Sequence, residues 1–408
     1  MRRQRLIPTL GILTAALVLL PALAAAQTEI LVWHSYRGDE RTAFEKVVAN
    51  FNAAMKDEGI SAKTLAVPYD AYADKISAAV PRGKGPDVFI YAQDRLGGWV
   101  EAGNTIEPID FFLDEEIEGR YIPSTMKAMR YQDTIWGLPV NFKVVTLYYN
   151  KKLVGKPPAT SGELVAVAKK LTDSAVGKFG LAYWFSDFYY HAGLMNAFGG
   201  GVFDAARKPT MNLPANVKSM ELLLKWFEVD KILPAEPSTA LITNLFNEGR
   251  AAMVFSGPWF LGEIAEGVDY GLAPLPTIDE AGGQPMRPWV TVEGAYIAQP
   301  SKHKDEAFEF ITFLTGVGSA TIMAVDGRQT PANKAAYDNP QVAGDEILQA
   351  FRKQVDVGVP MPNIAEMTMM WSPATTAMNV IVRKTASPKT ALDNAQKEVT
   401  ERIASLHK

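Results

Sequence analysis

The chain has 408 residues, of which 48% are hydrophobic and 21% are charged, and its formal net charge is −4. This length exceeds one comfortable hydrophobic core and predicts two domains, while the acidic balance gives no electrostatic basis for binding nucleic acid. The sequence contains no cysteine, which excludes a lipid anchor on a cysteine, a disulfide framework, thiol catalysis and thiolate metal ligands.

Residues 1–26 have the pattern of a signal peptide. Arg2, Arg3 and Arg5 form a basic start, residues 6–23 are largely apolar, and small residues follow as far as Ala26. Cleavage after Ala26 would leave a mature chain with a formal charge of about −7, because three arginines and no acids are lost. A retained membrane anchor and export by the twin-arginine route are the alternatives. The pattern predicts a soluble protein of the Gram-negative periplasm.

Predicted strands and helices alternate along the first part of the mature chain. Apolar runs indicate buried strands at Glu29–Trp33, Ala62–Val67 and Asp87–Tyr91. Helical spacing of apolar residues indicates helices at Asp39–Lys56 and Tyr72–Val80. Such alternation predicts an α/β fold with mostly parallel sheets flanked by helices. Ligands of such sheets bind beyond the carboxyl ends of the strands. Here those ends are residues 33–40 and 91–99.

The same alternation continues through the rest of the chain. The further predicted strands are Val144–Tyr149 and Phe179–Trp184, and the further predicted helices are Ser161–Leu171, Asn216–Val229, Ala307–Val325 and Thr390–Leu406. No single boundary separates two contiguous domains. We therefore expect the chain to cross between two lobes more than once.

Several classes of chemistry lack their motifs. The histidines are His34, His191, His303 and His407, and no two have the spacing of metal ligands. The sequence has no phosphate-binding Gly-Lys-Ser/Thr loop and no Gly-x-Ser-x-Gly elbow, so we predict neither a metal nor a cofactor. Glycoside hydrolysis needs two carboxylates that face one bond, and Asp94 and Glu293 are the first pair to consider for it.

Aromatic residues stand beside polar ones at predicted strand ends and turns. Sugar rings pack their C–H faces on aromatic rings and bind their hydroxyls through planar groups such as Asp and Arg. The residues in question are Tyr91, Asp94, Arg95, Asp187, Tyr189, Tyr190, Trp259 and Met367–Trp371. Each residue alone is more often a packing residue than a sugar contact.

Four stretches give these clusters a family context. They are Gly85–Gly98, Leu147–Lys151, Ala251–Trp259 and Pro360–Ile364, the last followed by Trp371. With these stretches the mature chain resembles the maltose/maltodextrin-binding branch of the extracellular solute-binding proteins.

The resemblance implies a two-lobed periplasmic-binding-protein fold with an oligosaccharide in the cleft between the lobes. The N-terminal lobe would comprise residues 27–141 and 286–345, and the C-terminal lobe residues 145–285 and 346–408. Asn141–Val145 would form one hinge. The protein would be a monomer and the substrate-binding component of an ABC importer, delivering its sugar to the membrane permease, and a chemosensory role could coexist.

The resemblance also implies the site residues. Tyr91 matches an aromatic platform, and Asp94 and Arg95 match partners of sugar hydroxyls. The further implied contacts are Asp187, Tyr189, Tyr190, Trp259, Met361 and Trp371.

Three positions depart from the family pattern. Arg37 and Gly38 replace an Asp-Lys pair, Lys143 replaces a glutamate, and Thr375 replaces an arginine. A buried cation needs a partner or an anionic ligand. Lys143 and Arg37 would therefore pair with Asp39, Glu40 or Asp187, or bind a ligand richer in acceptors, unless Lys143 points to solvent. A neutral oligosaccharide, an anionic sugar, and cleavage of a carbohydrate by an enzyme remain the competing functions.

Overall fold

The computed structural model describes residues 27–406. The predicted signal peptide therefore lies outside the described residues. The strands are β1 (Thr28–His34), β2 (Ile60–Ala66), β3 (Val88–Ala92), β4 (Arg130–Tyr131), β5 (Thr134–Ile135), β6 (Leu138–Val144), β7 (Thr146–Asn150), β8 (Phe179–Ala182), β9 (Ala251–Ser256), β10 (Tyr270–Ala273), β11 (Thr277–Ile278), β12 (Gln284–Pro285), β13 (Trp289–Ile297) and β14 (Val359–Pro360).

The helices follow the same numbering along the chain. They are α1 (Gly38–Ala54), α2 (Tyr69–Ala79), α3 (Leu96–Ala102), α4 (Glu115–Glu118), α5 (Pro123–Ala128), α6 (Ser161–Leu171), α7 (Phe188–Ala197), α8 (Pro214–Leu224), α9 (Thr239–Asn247), α10 (Lys304–Thr315), α11 (Val317–Val325), α12 (Pro340–Ala343), α13 (Glu346–Val357), α14 (Met367–Val382) and α15 (Pro388–Leu406).

The first sheet has the strand order β14-β13-β3-β1-β2, and β6 also pairs with β13. Strand β1 runs parallel to β2 and β3, whereas β13 runs antiparallel to β3 and β6. All nine residues of β13 are buried, which is typical of a strand at the centre of a covered sheet. Strand β13 therefore joins the early part of the chain to its later part.

The second sheet has the strand order β10-β7-β9-β8. Only β8 and β9 pair in parallel, because β7 runs antiparallel to both β9 and β10. The prediction of an α/β fold with helix-flanked sheets is confirmed, but the prediction of mostly parallel pairing is wrong for this sheet. Its one parallel pair, β8 with β9, is joined through helices α7, α8 and α9, as the connection between parallel strands requires.

Three predicted elements are divided in the structure. The single strand predicted at Val144–Tyr149 is the end of β6 and the start of β7, which belong to different sheets and are joined only by Val145. The helix predicted at Ala307–Val325 is α10 and α11, which are separated at Gly316. The helix predicted at Asn216–Val229 is α8 followed by a π-helical turn.

Large buried side chains fill the space around both sheets. Phe44, Phe51 and Phe310 pack together beside the first sheet, and Tyr183 and Trp226 are fully buried in the core around the second. Within residues 27–406 no single helix is long and apolar enough to cross a membrane. Helices α10 and α11 pass that test only as a pair, and the pair is bent by 54°.

Candidate functional site

The turn that follows β3 is fixed by a buried glutamine. Gln93 begins the short 3₁₀ helix Gln93–Arg95, and its side-chain oxygen accepts a hydrogen bond from the Val292 N–H at 2.7 Å. Its amide nitrogen donates to the carbonyls of Val290 and Met361, at 3.3 Å each. These bonds hold Asp94 and Arg95 at a defined place beside β13.

Asp94 is a mostly buried acid with an altered titration. Its side chain is 13% exposed, and one carboxylate oxygen lies 3.7 Å from Nε of Arg95. Burial raises the pKa of Asp94 to about 6, although the charge of Arg95 acts in the opposite direction. Near neutral pH this carboxyl can therefore change its protonation, and it can accept or donate a hydrogen bond accordingly.

Two predicted contact residues are packed inside the protein. Tyr91 is only 6% exposed, and its ring makes edge-to-face contacts with Tyr72 at 5.4 Å and Trp99 at 5.6 Å between centroids. Met361 is also buried, and its backbone N–H donates to the Val290 carbonyl at 3.0 Å. That both residues contact a ligand stays a prediction.

A group of neighbouring rings forms what we term the aromatic cluster. Its members are Trp184, Tyr189, Tyr190, Trp259, Trp289 and Trp371. Centroid distances between contacting rings in the cluster run from 5.7 Å for Trp289 and Trp371 to 6.4 Å for Trp184 and Tyr190. The structure thus brings together four of the predicted contact residues, the adjacent pair Tyr189 and Tyr190 with the distant Trp259 and Trp371.

Asp187 holds two of these tyrosines in place. It is the N-cap of α7, and its carboxylate accepts a hydrogen bond from the Tyr189 N–H at 2.8 Å. Burial raises the pKa of Asp187, partly offset by hydrogen bonds from the backbone of Tyr189 and Tyr190. Its local role is therefore to start α7 and to aim the tyrosine pair.

Trp259 lies close against the backbone of its own turn. A Cβ atom placed on Gly257 would come within 2.3 Å of the Trp259 ring, so the turn requires glycine there. The Trp259 Nε1 donates to the Tyr190 hydroxyl at 3.3 Å. One face of the indole is thus occupied by the protein itself, and the ring is only partly buried.

A second group of side chains forms what we term the polar network. Its members are Glu40, Asn141, Lys143, Glu293 and Gln329. The Lys143 ammonium lies 2.8 Å from one oxygen of Glu293, and Asn141 donates to the other oxygen at 2.7 Å. Asn141 also donates to the Gln329 side-chain oxygen at 2.8 Å. The carboxylate of Glu293 therefore has a partner at each oxygen.

The charges in the polar network stabilise one another. Burial alone would lower the pKa of Lys143, but the carboxylates of Glu293 and Glu40 outweigh burial and raise it. Burial is also the largest cause of the raised pKa of Glu40, which Lys143 opposes. The amine is therefore charged in the folded protein, within a pair that is 25% exposed at Lys143 and 8% at Glu293.

The observed partner of Lys143 corrects the sequence-based expectation. We expected Asp39, Glu40 or Asp187, whereas the ion pair is made with Glu293, and Glu40 acts only through its charge. The neighbouring strands explain this pairing, because β6 and β13 place residues 141, 143, 291 and 293 opposite one another. Arg37 is exposed at the start of α1 and acts on Glu40 through its charge.

One hydrogen bond brings the aromatic cluster next to the polar network. The Tyr189 hydroxyl lies 3.1 Å from the Thr291 hydroxyl. Thr291 is the direct neighbour of Lys143 in the ladder between β13 and β6. Rings from one part of the chain therefore meet hydrogen-bonding groups from another at this point.

Strand β13 contributes most of what sequence reasoning missed. Trp289, Thr291 and Glu293 all lie on it, yet no strand was predicted there. The run Trp289–Ile297 contains a single charged residue, and this continuous apolar character could have indicated a buried strand.

Arg207 links segments that the sequence assigns to different lobes. Its guanidinium donates to the Tyr131 hydroxyl at 2.7 Å and to Glu101 at 3.3 Å, and it lies 5.0 Å from the centre of the Tyr131 ring. Tyr131 in turn donates to Glu101 at 2.5 Å. The backbone of Arg207 has a φ of 60°, which is uncommon for a residue with a side chain.

Two cavities lie away from the aromatic cluster and the polar network. A cavity of about 240 Å³ lies beside Asp87 and His303, and another of about 530 Å³ lies beside Leu153 and Lys170. Among residues 27–406, no three His, Asp or Glu side chains are grouped so that they could hold a metal ion.

The fold, together with the adjacent aromatic cluster and polar network, defines a two-lobed α/β binding protein. The family of bacterial extracellular solute-binding proteins matches residues 37–321, and the chain belongs to that family. The sequence is 29% identical to a maltotriose-binding protein of Pyrococcus abyssi, over 92% of this chain and 82% of that protein. It is 27% identical to a galactooligosaccharide-binding protein of Bacillus subtilis, over 93% of this chain and 90% of that protein.

A solved structure supports the same assignment. A cyclo/maltodextrin-binding protein complexed with maltotetraose has a TM-score of 0.83 to this chain and is 31% identical to it. The match covers 92% of this chain and 97% of the other. The resemblance to maltose/maltodextrin-binding proteins that the sequence predicted is confirmed.

Proposed function

We propose that this protein is the substrate-binding component of an ABC importer and captures an oligosaccharide in a cleft between two lobes. The lobes would be residues 27–141 with 286–345, and residues 145–285 with 346–408. The observation that carries this proposal is the hydrogen bond between Tyr189 of the aromatic cluster and Thr291, which is the strand neighbour of Lys143 in the polar network. A sugar offers apolar faces and hydroxyl edges, and this arrangement supplies a partner for each.

The ligand that the relatives favour is a maltodextrin. Relatives named for maltotriose and for galactooligosaccharides both align with more than nine-tenths of this chain. The structural neighbour complexed with maltotetraose is the more similar by identity. We therefore place a maltodextrin first and a galactooligosaccharide second.

Sugar binding would favour closure of the lobes. A ligand shifts an equilibrium between open and closed forms only through its different affinity for the two. Contacts from both the aromatic cluster and the polar network would provide that difference. The closed form would then deliver its sugar to the permease in the membrane. The mature protein would act as a monomer in the periplasm after removal of residues 1–26.

Binding without cleavage fits the positions of the acids. Glu293 bonds to Lys143 and Asn141, and Asp94 lies beside Arg95. Because Glu293 has a partner at each oxygen, it is not free to serve as the second carboxylate that glycoside hydrolysis needs. Prolonged incubation of the protein with maltotriose should release no shorter sugar, and product formation would contradict this part of the proposal.

A thermal-shift experiment tests the proposal directly. The mature protein is melted with maltose, maltotriose, trehalose, sucrose and a galactotriose, each at several concentrations. A ligand at about 100 times its dissociation constant adds roughly 2.7 kcal/mol of stability, which raises the melting temperature measurably. Stabilisation by a maltodextrin supports the first assignment, and stabilisation by galactotriose alone supports the second. No response to any of these sugars would overturn the proposal.

A further inference from the structure

Lys143, the cation of the polar network, stands at the boundary of the network with the aromatic cluster. It is directly opposite Thr291, whose hydroxyl meets that of Tyr189. A ligand packed on the cluster would therefore come close to this ammonium group. Taken alone, such a cation would favour an anionic sugar.

The surroundings of Lys143 give the opposite preference. Its ammonium is already paired with Glu293 at 2.8 Å, and the Glu40 carboxylate acts on the same group. Two carboxylates thus act on this one cation, while Arg37 also acts on Glu40, so the positive charge of Lys143 is already compensated within the protein. An anionic ligand would have to displace Glu293 from Lys143 and approach these carboxylates, and like charges brought together cost several kcal/mol.

We propose that Glu293 is a specificity-determining residue that neutralises Lys143 and restricts the site to uncharged sugars. This inference rests on the proposed function, because it concerns the ligand of the same site. Glu293 is suited to the role because it is almost fully buried and cannot turn away to solvent. Asn141 holds its second oxygen and so fixes the carboxylate toward Lys143.

The substitution Glu293→Gln tests the charge of this side chain separately from its shape. Glutamine has almost the same volume, and its side-chain oxygen can still accept a hydrogen bond from Asn141 or Lys143. The change removes one negative charge and leaves the Lys143 ammonium without its ion-pair partner. The variant should therefore accept an anion where the native protein rejects it.

The experiment is isothermal titration with maltose and with maltose 1-phosphate, which differ by one phosphate group. We expect the native protein to bind maltose at least about tenfold more tightly than the phosphate, a difference of about 1.4 kcal/mol. In Glu293→Gln the affinity for the phosphate should rise by about tenfold or more relative to maltose. The double variant Lys143→Met/Glu293→Gln should lose this gain, because the freed cation is gone.

A surface variant provides the control. Glu45→Gln removes one carboxylate from an exposed pair with Arg41 and should leave the ratio of the two affinities unchanged. Circular dichroism melts show whether each variant is folded. The inference is overturned if the native protein binds both ligands equally, or if Glu293→Gln changes both affinities by the same factor. Failure of the native protein to bind any neutral sugar would instead overturn the proposed function.

Discussion

The aromatic cluster and the polar network are built in different ways. The cluster takes its rings mainly from loops and helix ends around the second sheet, and several of these rings remain partly exposed. The network takes Asn141, Lys143 and Glu293 from two adjacent strands of the first sheet, where register fixes their neighbours. The first arrangement leaves surface available for a ligand, and the second pairs both oxygens of Glu293 but leaves Asn141 Oδ1 and Gln329 Nε2 without a hydrogen-bond partner in the described part of the chain.

This difference assigns separate tasks to the two groups. Ring surfaces give affinity that depends little on the orientation of individual hydroxyls. A charged network in which the buried Glu293 carboxylate is paired at both oxygens is costly to rearrange, so it can discriminate against ligands that would disturb this pairing. Breaking either group should therefore have a distinct signature, in stability for the network and in binding for the cluster.

The largest expected effect comes from breaking the ion pair of the network. Lys143→Met leaves the Glu293 carboxylate buried without its cation and should lower the free energy of unfolding by about 3 kcal/mol. Urea denaturation measures this change. The double variant with Glu293→Gln should recover most of the loss, because no uncompensated charge remains. A single variant as stable as the native protein would show that the pair is not buried in solution.

The second largest expected effect is the loss of sugar binding when one ring is removed from the aromatic cluster. Trp259→Ala removes a partly exposed indole beside Tyr190 and should weaken oligosaccharide binding by about 2 kcal/mol, roughly 30-fold. Titration with the sugar found in the thermal screen measures the loss. Phe111 is 96% exposed outside the cluster, so Phe111→Ala is the matched control and should bind normally. Equal losses in both variants would contradict the assignment of the cluster.

Asp94 belongs to neither the aromatic cluster nor the polar network, and it predicts a pH dependence of stability that is separate from both. Its pKa is raised from 3.8 to about 6, so the folded state holds the proton more tightly than the unfolded state. The stability from this group is full below the unfolded pKa and is lost as pH rises through the folded one. Relative to Asp94→Asn, the native protein should lose about 1–2 kcal/mol between pH ~4 and pH ~7. Melting curves of both proteins across this range measure it, and parallel curves would contradict the raised pKa.

The smallest expected effect concerns Arg207. Arg207→Ala removes contacts with Tyr131 and Glu101 that join the two predicted lobes. Because the pair is partly exposed, the loss should be below about 1 kcal/mol, seen as a severalfold faster release of sugar in stopped-flow measurements. Arg250→Ala, which breaks an exposed pair with Glu248, is the control. An unchanged release rate would show that the Arg207 contacts do not hold the lobes together.

The sequence predicted the helices and strands of this protein more accurately than it predicted contacts between residues distant in the chain. Helix α6 matches its prediction at both ends, and Thr160 caps it as the Thr-x-x-Glu pattern requires. The Lys143 partner could not be found in this way, because Glu293 is 150 residues distant and is brought close only by the pairing of β6 with β13. Tyr91 shows the same limit, since a residue at a strand end can face a ligand or pack against Tyr72.

The passage from β6 to β7 limits how the molecule can move. The chain leaves the first sheet at Val144 and enters the second at Thr146, so Val145 alone separates the two strands. Each residue has only two soft torsions, and Val145 is buried, which restricts those torsions further. At this crossing a rotation of one sheet against the other has few available axes. Any motion of the first sheet against the second is therefore restricted at this crossing to the few directions that the Val145 torsions allow.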